Sequence, residues 1–183
     1  MRERSWRWIW QPELGQGVEE FIFRSNSATS EARGKVAATL EGAAINASYL
    51  VEADAAWRTR RVRVGLEGAG LLEIVSFGEG DWSHADGKAI PELDGCLDPD
   101  ISMTPFTNTL PIRRLDLKVG QSANIEVAYI LVPELSLRVA PQRYTHLEER
   151  LWRFESLDSG FTADITVDEE GFVVEYPGLF RRG

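Results

Sequence analysis

Tryptophan occupies every second position from Trp6 to Trp10, with Arg7 and Ile9 between the indoles. On a strand that spacing puts three large rings on one face, whereas on a helix they would spread round the axis. A second segment alternates just as strictly. Phe161, Ala163, Ile165 and Val167 interleave with Thr162, Asp164, Thr166 and Asp168, a strand with one apolar and one polar face. Both features limit the chain to a sheet that buries one side.

Further β-compatible runs lie between these two. They are Glu19 to Arg24, Lys35 to Leu40, Ile45 to Ala53, Arg60 to Gly65, Leu71 to Phe77, Asn124 to Val132, Arg143 to Glu149, Leu151 to Ser156 and Phe172 to Tyr176. Gly42, the Gly65, Gly68, Gly70 group, Asp86-Gly87 and Asp168 to Gly171 supply turns between them. Many short strands with turns about every 8 to 12 residues predict a mainly β fold, a curved antiparallel sheet or half-open β-barrel with at most one or two short helices. The stretch from Pro91 to Pro111 differs: four prolines without amide donors predict a long structured loop. Thr104-Pro105 predicts the start of a helical turn there, with Thr104 as N-cap, and Pro111 predicts an early end. No linker or repeat divides the chain, so residues 1–183 are expected to form a single domain.

Charge and cysteine content then narrow the function classes. A formal net charge of -9 opposes nucleic-acid binding, which needs clustered Lys and Arg. No run of about 18 apolar residues is present, as a spanning helix would require, so no integral membrane protein is expected. Cys96 is the sole cysteine, which excludes an internal disulfide. The N-terminal residues lack the apolar core of an export signal, and a cytoplasmic location is expected.

The residues that carry chemistry are few. His84, His146 and Cys96 are too few for the common zinc sites, and no metal or cofactor is expected. Asp94, Asp98 and Asp100 are hard oxygen donors without the spacing of a calcium loop, and pairing with Arg113 or Arg114 accounts for them as well. There is no Gly-x-Ser-x-Gly elbow, and the three glycines after Arg63 precede a strand, unlike those of a dinucleotide site. No catalytic residue is assigned. Six tryptophans, Trp57 among them, serve equally as core filler or as stacking surfaces.

Two long blocks carry a resemblance. Leu93-Asp94-Gly95-Cys96-Leu97-Asp98-Pro99-Asp100 is followed by Thr104-Pro105-Phe106-Thr107-Asn108-Thr109-Leu110-Pro111-Ile112-Arg113-Arg114-Leu115. Asp54-Ala55-Ala56-Trp57-Arg58-Thr59-Arg60, Gln142-Arg143-Tyr144 and Val173-Val174-Glu175-Tyr176-Pro177-Gly178-Leu179-Phe180 agree with them. With these blocks the chain resembles the putative glycolipid-binding family, formerly a bacterial domain of unknown function. The resemblance implies a half-barrel similar to lipoprotein carriers, with a concave face covering an amphipathic ligand such as a glycolipid, held without catalysis.

Such a carrier needs an apolar lining and a few polar groups at its mouth. Trp6, Trp8, Trp10, Phe161, Ile165, Phe172, Val174 and Tyr176 are lining candidates, with Trp57 beside them. Asp98, Asp100 and Asn108 of the Pro-broken loop, and Arg58, Arg113, Arg114, Gln142 and Arg143, are head-group candidates. Arg113 and Arg114, read as neighbours on a strand, would point to opposite faces. The carrier reading expects a continuous apolar cavity. Two others stay open: a hydrolase or isomerase on a sugar or lipid head group, with carboxylates converging in the cavity, and a protein-interaction module with a filled interior.

Overall fold

The computed structural model describes residues 1–183. Strands β1 (Arg2–Trp10), β2 (Gln16–Ser25), β3 (Thr29–Leu40), β4 (Ala43–Asp54), β5 (Thr59–Leu66), β6 (Gly70–Ser76) and β7 (Trp82–His84) form one antiparallel meander. A one-turn 3-10 helix (Pro91–Leu93), strand β8 (Asp98–Ile101) and helix α1 (Phe106–Leu115) follow. The second meander comprises β9 (Ser122–Leu131), β10 (Ser136–Glu148), β11 (Leu151–Ser156), β12 (Thr162–Val167), β13 (Val173–Tyr176) and β14 (Phe180–Arg182). All fourteen strands belong to one sheet of order β7-β6-β5-β4-β3-β2-β1-β14-β13-β12-β11-β10-β9-β8. It is curved but open, since β7 and β8 are its two edges and do not pair, so the expected curved antiparallel sheet is found and it does not close into a barrel.

The meanders meet at a narrow seam. Trp8, Ile9 and Trp10 of β1 face Arg182, Arg181 and Phe180 of β14, and β13 joins β14 through two pairs. Side chains reinforce it: Trp8 Nε1 and Arg182 Nη2 both donate to the Val173 carbonyl at 2.9 Å, and the Arg182 guanidinium lies 4.3 Å over the Trp6 ring.

The concave face is filled. Phe21, Phe23, Phe106 and Phe172 pack with Trp6, Trp8 and Trp57 in one aromatic cluster, and Trp57 stacks on Phe23 at 5.7 Å. Phe106 comes from α1, which lies in the hollow of the sheet. Complete burial of a ring of this size stabilises the fold by roughly 1.5 to 3 kcal/mol, so the cluster anchors helix to sheet.

Three expectations about the Pro-rich stretch are corrected. It contains β8, the one parallel element, which pairs with β9 through Asp98 opposite Val127 and Ile101 opposite Ile130. Pro99 is tolerated because β8 is an edge. Thr104 Oγ does accept the Phe106 amide at 3.1 Å, but Pro111 does not end the helix, which runs on to Leu115. Every residue from Phe106 to Ile112 is buried, and that packing outweighs the hydrogen bond a helical proline forfeits. Arg113 and Arg114 therefore sit on a helix rather than a strand. The strand expected from Arg143 starts earlier, at Ser136. Pro141 fits inside it because its carbonyl, which accepts the Leu157 amide, and its missing N–H both point past the end of the β10–β11 ladder.

One glycine is fixed by close approach. A β-carbon on Gly34 of β3 would overlap the Tyr49 ring and stand 2.8 Å from Glu19 Oε1. Gly34→Ala is expected to lower stability by about 1 to 3 kcal/mol through overpacking, seen as a lower urea midpoint with unchanged slope. An unshifted midpoint would show that β3 moves aside freely.

Candidate functional site

Four polar groups, three buried and Asp100 half-buried, connect α1 to the sheet. Asp98, its side chain 1% exposed, receives two bonds from Arg114, Nη2 to Oδ2 at 2.6 Å and Nε to Oδ1 at 3.2 Å. Asp100 accepts from Thr107 Oγ at 3.1 Å and from Gln142 Nε2 at 2.6 Å. Asn108 Nδ2 donates to the Tyr144 hydroxyl at 2.9 Å. Glu19, on the inward face of β2, accepts from the Tyr49 hydroxyl at 2.5 Å and from Thr104 Oγ at 3.0 Å.

Burial dominates the electrostatics of these groups. It pushes the Glu19 carboxyl up to about 8, against the lowering effect of Tyr49 and Thr104. It raises Asp98 despite the Arg114 fork, and Asp100 despite Gln142 and Thr107. The Tyr144 and Tyr176 phenols are raised by burial first and by the nearby Asp100 carboxylate second. Cys96, buried behind the Trp82 indole that donates to its carbonyl at 2.6 Å, is raised to about 11 by burial and nearby carboxylates. A thiol so disposed stays protonated at neutral pH and is a poor nucleophile.

A pocket of about 290 Å³ opens beside α1, between β8 and the inward faces of β9 to β14. Its floor is polar: Asp100, Ser102, Thr104, Asn108 and Gln142. Its walls are aromatic, from Tyr129, Phe154, Phe161, Tyr176 and Phe180, and Arg138 stands with Ser156, Ser159 and Leu179 among the remaining lining groups. Arg138 lies 4.5 Å over the Tyr129 ring and is paired with Asp158 at 2.7 Å. A larger groove, about 1030 Å³, runs along the outer face of β2 to β6 past Lys35, Leu50 and Arg63. It is lined largely by the arms of exposed side chains and holds no buried polar cluster, so the chemistry resides in the smaller pocket.

Of the residues singled out from the sequence, the structure brings Asp100, Asn108, Gln142 and Tyr176 together in this pocket. Asp98 and Arg114 lie behind it, spent on one another. The rest are elsewhere. Arg58 is tied to Asp54 and Glu79 at the β4–β5 turn. Arg113 is exposed and sits 4.9 Å over Trp57, at the far side of the helix. Arg143 points to the outer face of β10, as alternation with buried Gln142 and Tyr144 requires. Phe161 lines the pocket, while Trp8, Trp10, Ile165 and Phe172 are core and Trp6 packs against it. Thr104, Tyr129, Arg138, Phe154 and Phe180 were not foreseen as site residues. The continuous apolar cavity expected of a carrier is absent, because α1 and the aromatic cluster occupy that space.

No group of three or more His, Cys, Asp and Glu side chains comes together in a metal-binding arrangement. No helix is long and apolar enough to cross a membrane.

An open, strongly curved β-sheet with a polar-floored, aromatic-walled pocket defines a small-molecule binding scaffold. A family model described as putative glycolipid-binding matches residues 7–182, and the chain belongs to that family. Among solved structures it is similar to a DUF1089 family protein from Pseudomonas aeruginosa, 39% identical, over 90% of this chain and 92% of that one, with a TM-score of 0.82. No match is found among curated proteins.

Proposed function

We propose that the protein binds an amphipathic ligand of the glycolipid class in the pocket beside α1 and does not transform it. The observation that carries this reading is the convergence of Asp100, Asn108 and Gln142 on a floor enclosed by five aromatic side chains, Tyr129, Phe154, Phe161, Tyr176 and Phe180. Polar groups fix orientation there, and apolar walls supply the affinity. Family membership supports the ligand class.

The lining argues for binding over hydrolysis. A glycosidase divides acid and base roles between two carboxyl groups that both reach the substrate. Asp100 is the one carboxyl in the lining, because Glu19 has no exposed surface and lies beyond Thr104. No histidine or cysteine lines the pocket.

Native mass spectrometry of the chain purified without added lipid tests the proposal. One retained amphiphile per chain, identified after extraction, is the expected result. A chain that arrives empty and takes up nothing from a mixed lipid extract would overturn it.

A further inference from the structure

Resting on that reading of the pocket, we infer that it is a single-ring glycosyl site: one neutral sugar enters, and the aliphatic part of the ligand stays outside. Size is the first argument. About 290 Å³ lies at the bottom of the range for small-molecule pockets, roughly 300 to 1,000 Å³. That is room for one pyranose with its hydroxyls. Acyl chains find no continuation inward, where Trp8, Phe21, Phe106 and Phe172 are fully buried and in contact.

The second argument is the order of the lining. A pyranose offers hydroxyls that both donate and accept, and a face of C–H groups. Asp100 accepts, while the amides of Asn108 and Gln142 each have one N–H left after their bonds to Tyr144 and Asp100. Phe154, Phe161 and Tyr176 stand 6.1 to 6.3 Å apart, ring centre to ring centre, and form a continuous apolar wall. The Tyr176 side chain is more than nine-tenths buried, yet its hydroxyl makes no hydrogen bond within the protein. It lines the pocket close enough to Asp100 to feel that charge. The hydroxyl itself keeps accessible surface in the pocket, where a ligand hydroxyl can take the place of water.

Charge decides between a neutral and an anionic ring. The cation at this site, Arg138, is already paired with Asp158 and stacked on Tyr129, whereas Asp100 is a half-buried carboxyl on the floor. A phosphate or carboxylate would meet a like charge with no free cation to offset it. Outside, Leu157 and Phe161 are exposed by 46% and 41%, an apolar landing for the first methylenes of an aglycone.

Calorimetry and amide NMR with a panel of neutral methyl hexosides, their octyl counterparts below the micelle concentration, one hexose phosphate and palmitate test the inference. Expected are millimolar binding of at least one methyl hexoside with shifts at Asp100, Asn108, Gln142 and Tyr176, tighter binding of its octyl form with added shifts at Leu157 and Phe161, and no binding of the phosphate. Tyr176→Phe, which removes a hydroxyl that bonds to nothing in the free protein, is expected to weaken both glycosides roughly three- to tenfold while leaving the denaturation midpoint unchanged. Phe161→Ala, on an exposed residue, weakens the octyl form more than the methyl form. If the chain holds a lipid but no methyl hexoside shifts these residues and Tyr176→Phe changes nothing, the single-ring site is overturned while glycolipid-class binding stands. If neither glycosides nor amphiphiles bind, both readings fall.

Discussion

Glu19→Gln is expected to make the protein more stable than the parent chain at pH 8 and nearly equal to it at pH 4. Glu19 is completely buried, and its carboxyl is raised from 4.5 to about 8, chiefly by burial. Below the unfolded value the carboxyl is protonated in both states and contributes its full stabilisation. Between 4.5 and about 8 the unfolded chain releases that proton and the folded chain keeps it, so stability falls by roughly 1.4 kcal/mol per pH unit. Above the folded value both states are ionised and the loss is complete. Glutamine has no proton to release, and its carbonyl can accept the same two bonds from Tyr49 and Thr104. The gap between variant and parent should therefore open to the order of 4 kcal/mol by pH 8. Urea unfolding of both proteins at pH 4, 6 and 8 measures it, because every other titrating group is shared. Parallel stability curves would mean that Glu19 is charged in the folded protein.

Arg114→Met should produce the largest loss at neutral pH. The guanidinium is the partner of a carboxyl whose side chain is 1% exposed, and methionine keeps the packing while removing the fork. An uncompensated buried charge costs about 3 to 5 kcal/mol. Protonation of Asp98 relieves part of it, so the deficit should shrink toward pH 4. Because Asp98 belongs to β8 and Arg114 to the last turn of α1, loss of the pair should also loosen the helix end, visible as faster amide exchange there. Adding Asp98→Asn to Arg114→Met should recover much of the loss, since it removes the stranded charge rather than any contact. A single variant as stable as the parent would show that Asp98 reaches water by another route.

Period-two alternation made most of the sheet legible, and made it so wherever one face is buried against aromatics. Trp6, Trp8 and Trp10, and Phe161 to Val167, declare both their conformation and their inward side. The β8 edge was hidden because Pro99 reads as a breaker, and only the absence of a neighbour on one side makes it admissible. Helix α1 was shortened for a related reason: Pro111 obeys local propensity, whereas the burial of Phe106 to Ile112 is a tertiary fact. Glu19 did leave a trace, being the acidic member of an alternating series with Phe21 and Phe23. The pocket was half visible. Asp100, Asn108, Gln142 and Tyr176 lie in blocks that stand out by composition, but Tyr129, Arg138 and Phe180 meet them through the pairing of β9 with β10 and of β13 with β14, a register no single strand encodes. Arg58, Arg113 and Arg143 lie outside the pocket, each occupied by a carboxylate or an aromatic ring, because charge alone does not tell which face a side chain takes.

The seam between β1 and β14 divides labour across the sheet. Every residue that lines the pocket, from Asp100 to Phe180, belongs to the second meander or to the β8–α1 segment, and none to β1 through β7. The first meander touches the pocket at one remove, through Glu19 and Tyr49 on the Thr104 hydroxyl and through Trp10 against Phe180. Substitutions on the first wing should thus trade in stability while those on the second trade in ligand choice. A laboratory library could diversify the two wings separately and combine the winners, with Glu19 and Thr104 as the pair to keep fixed.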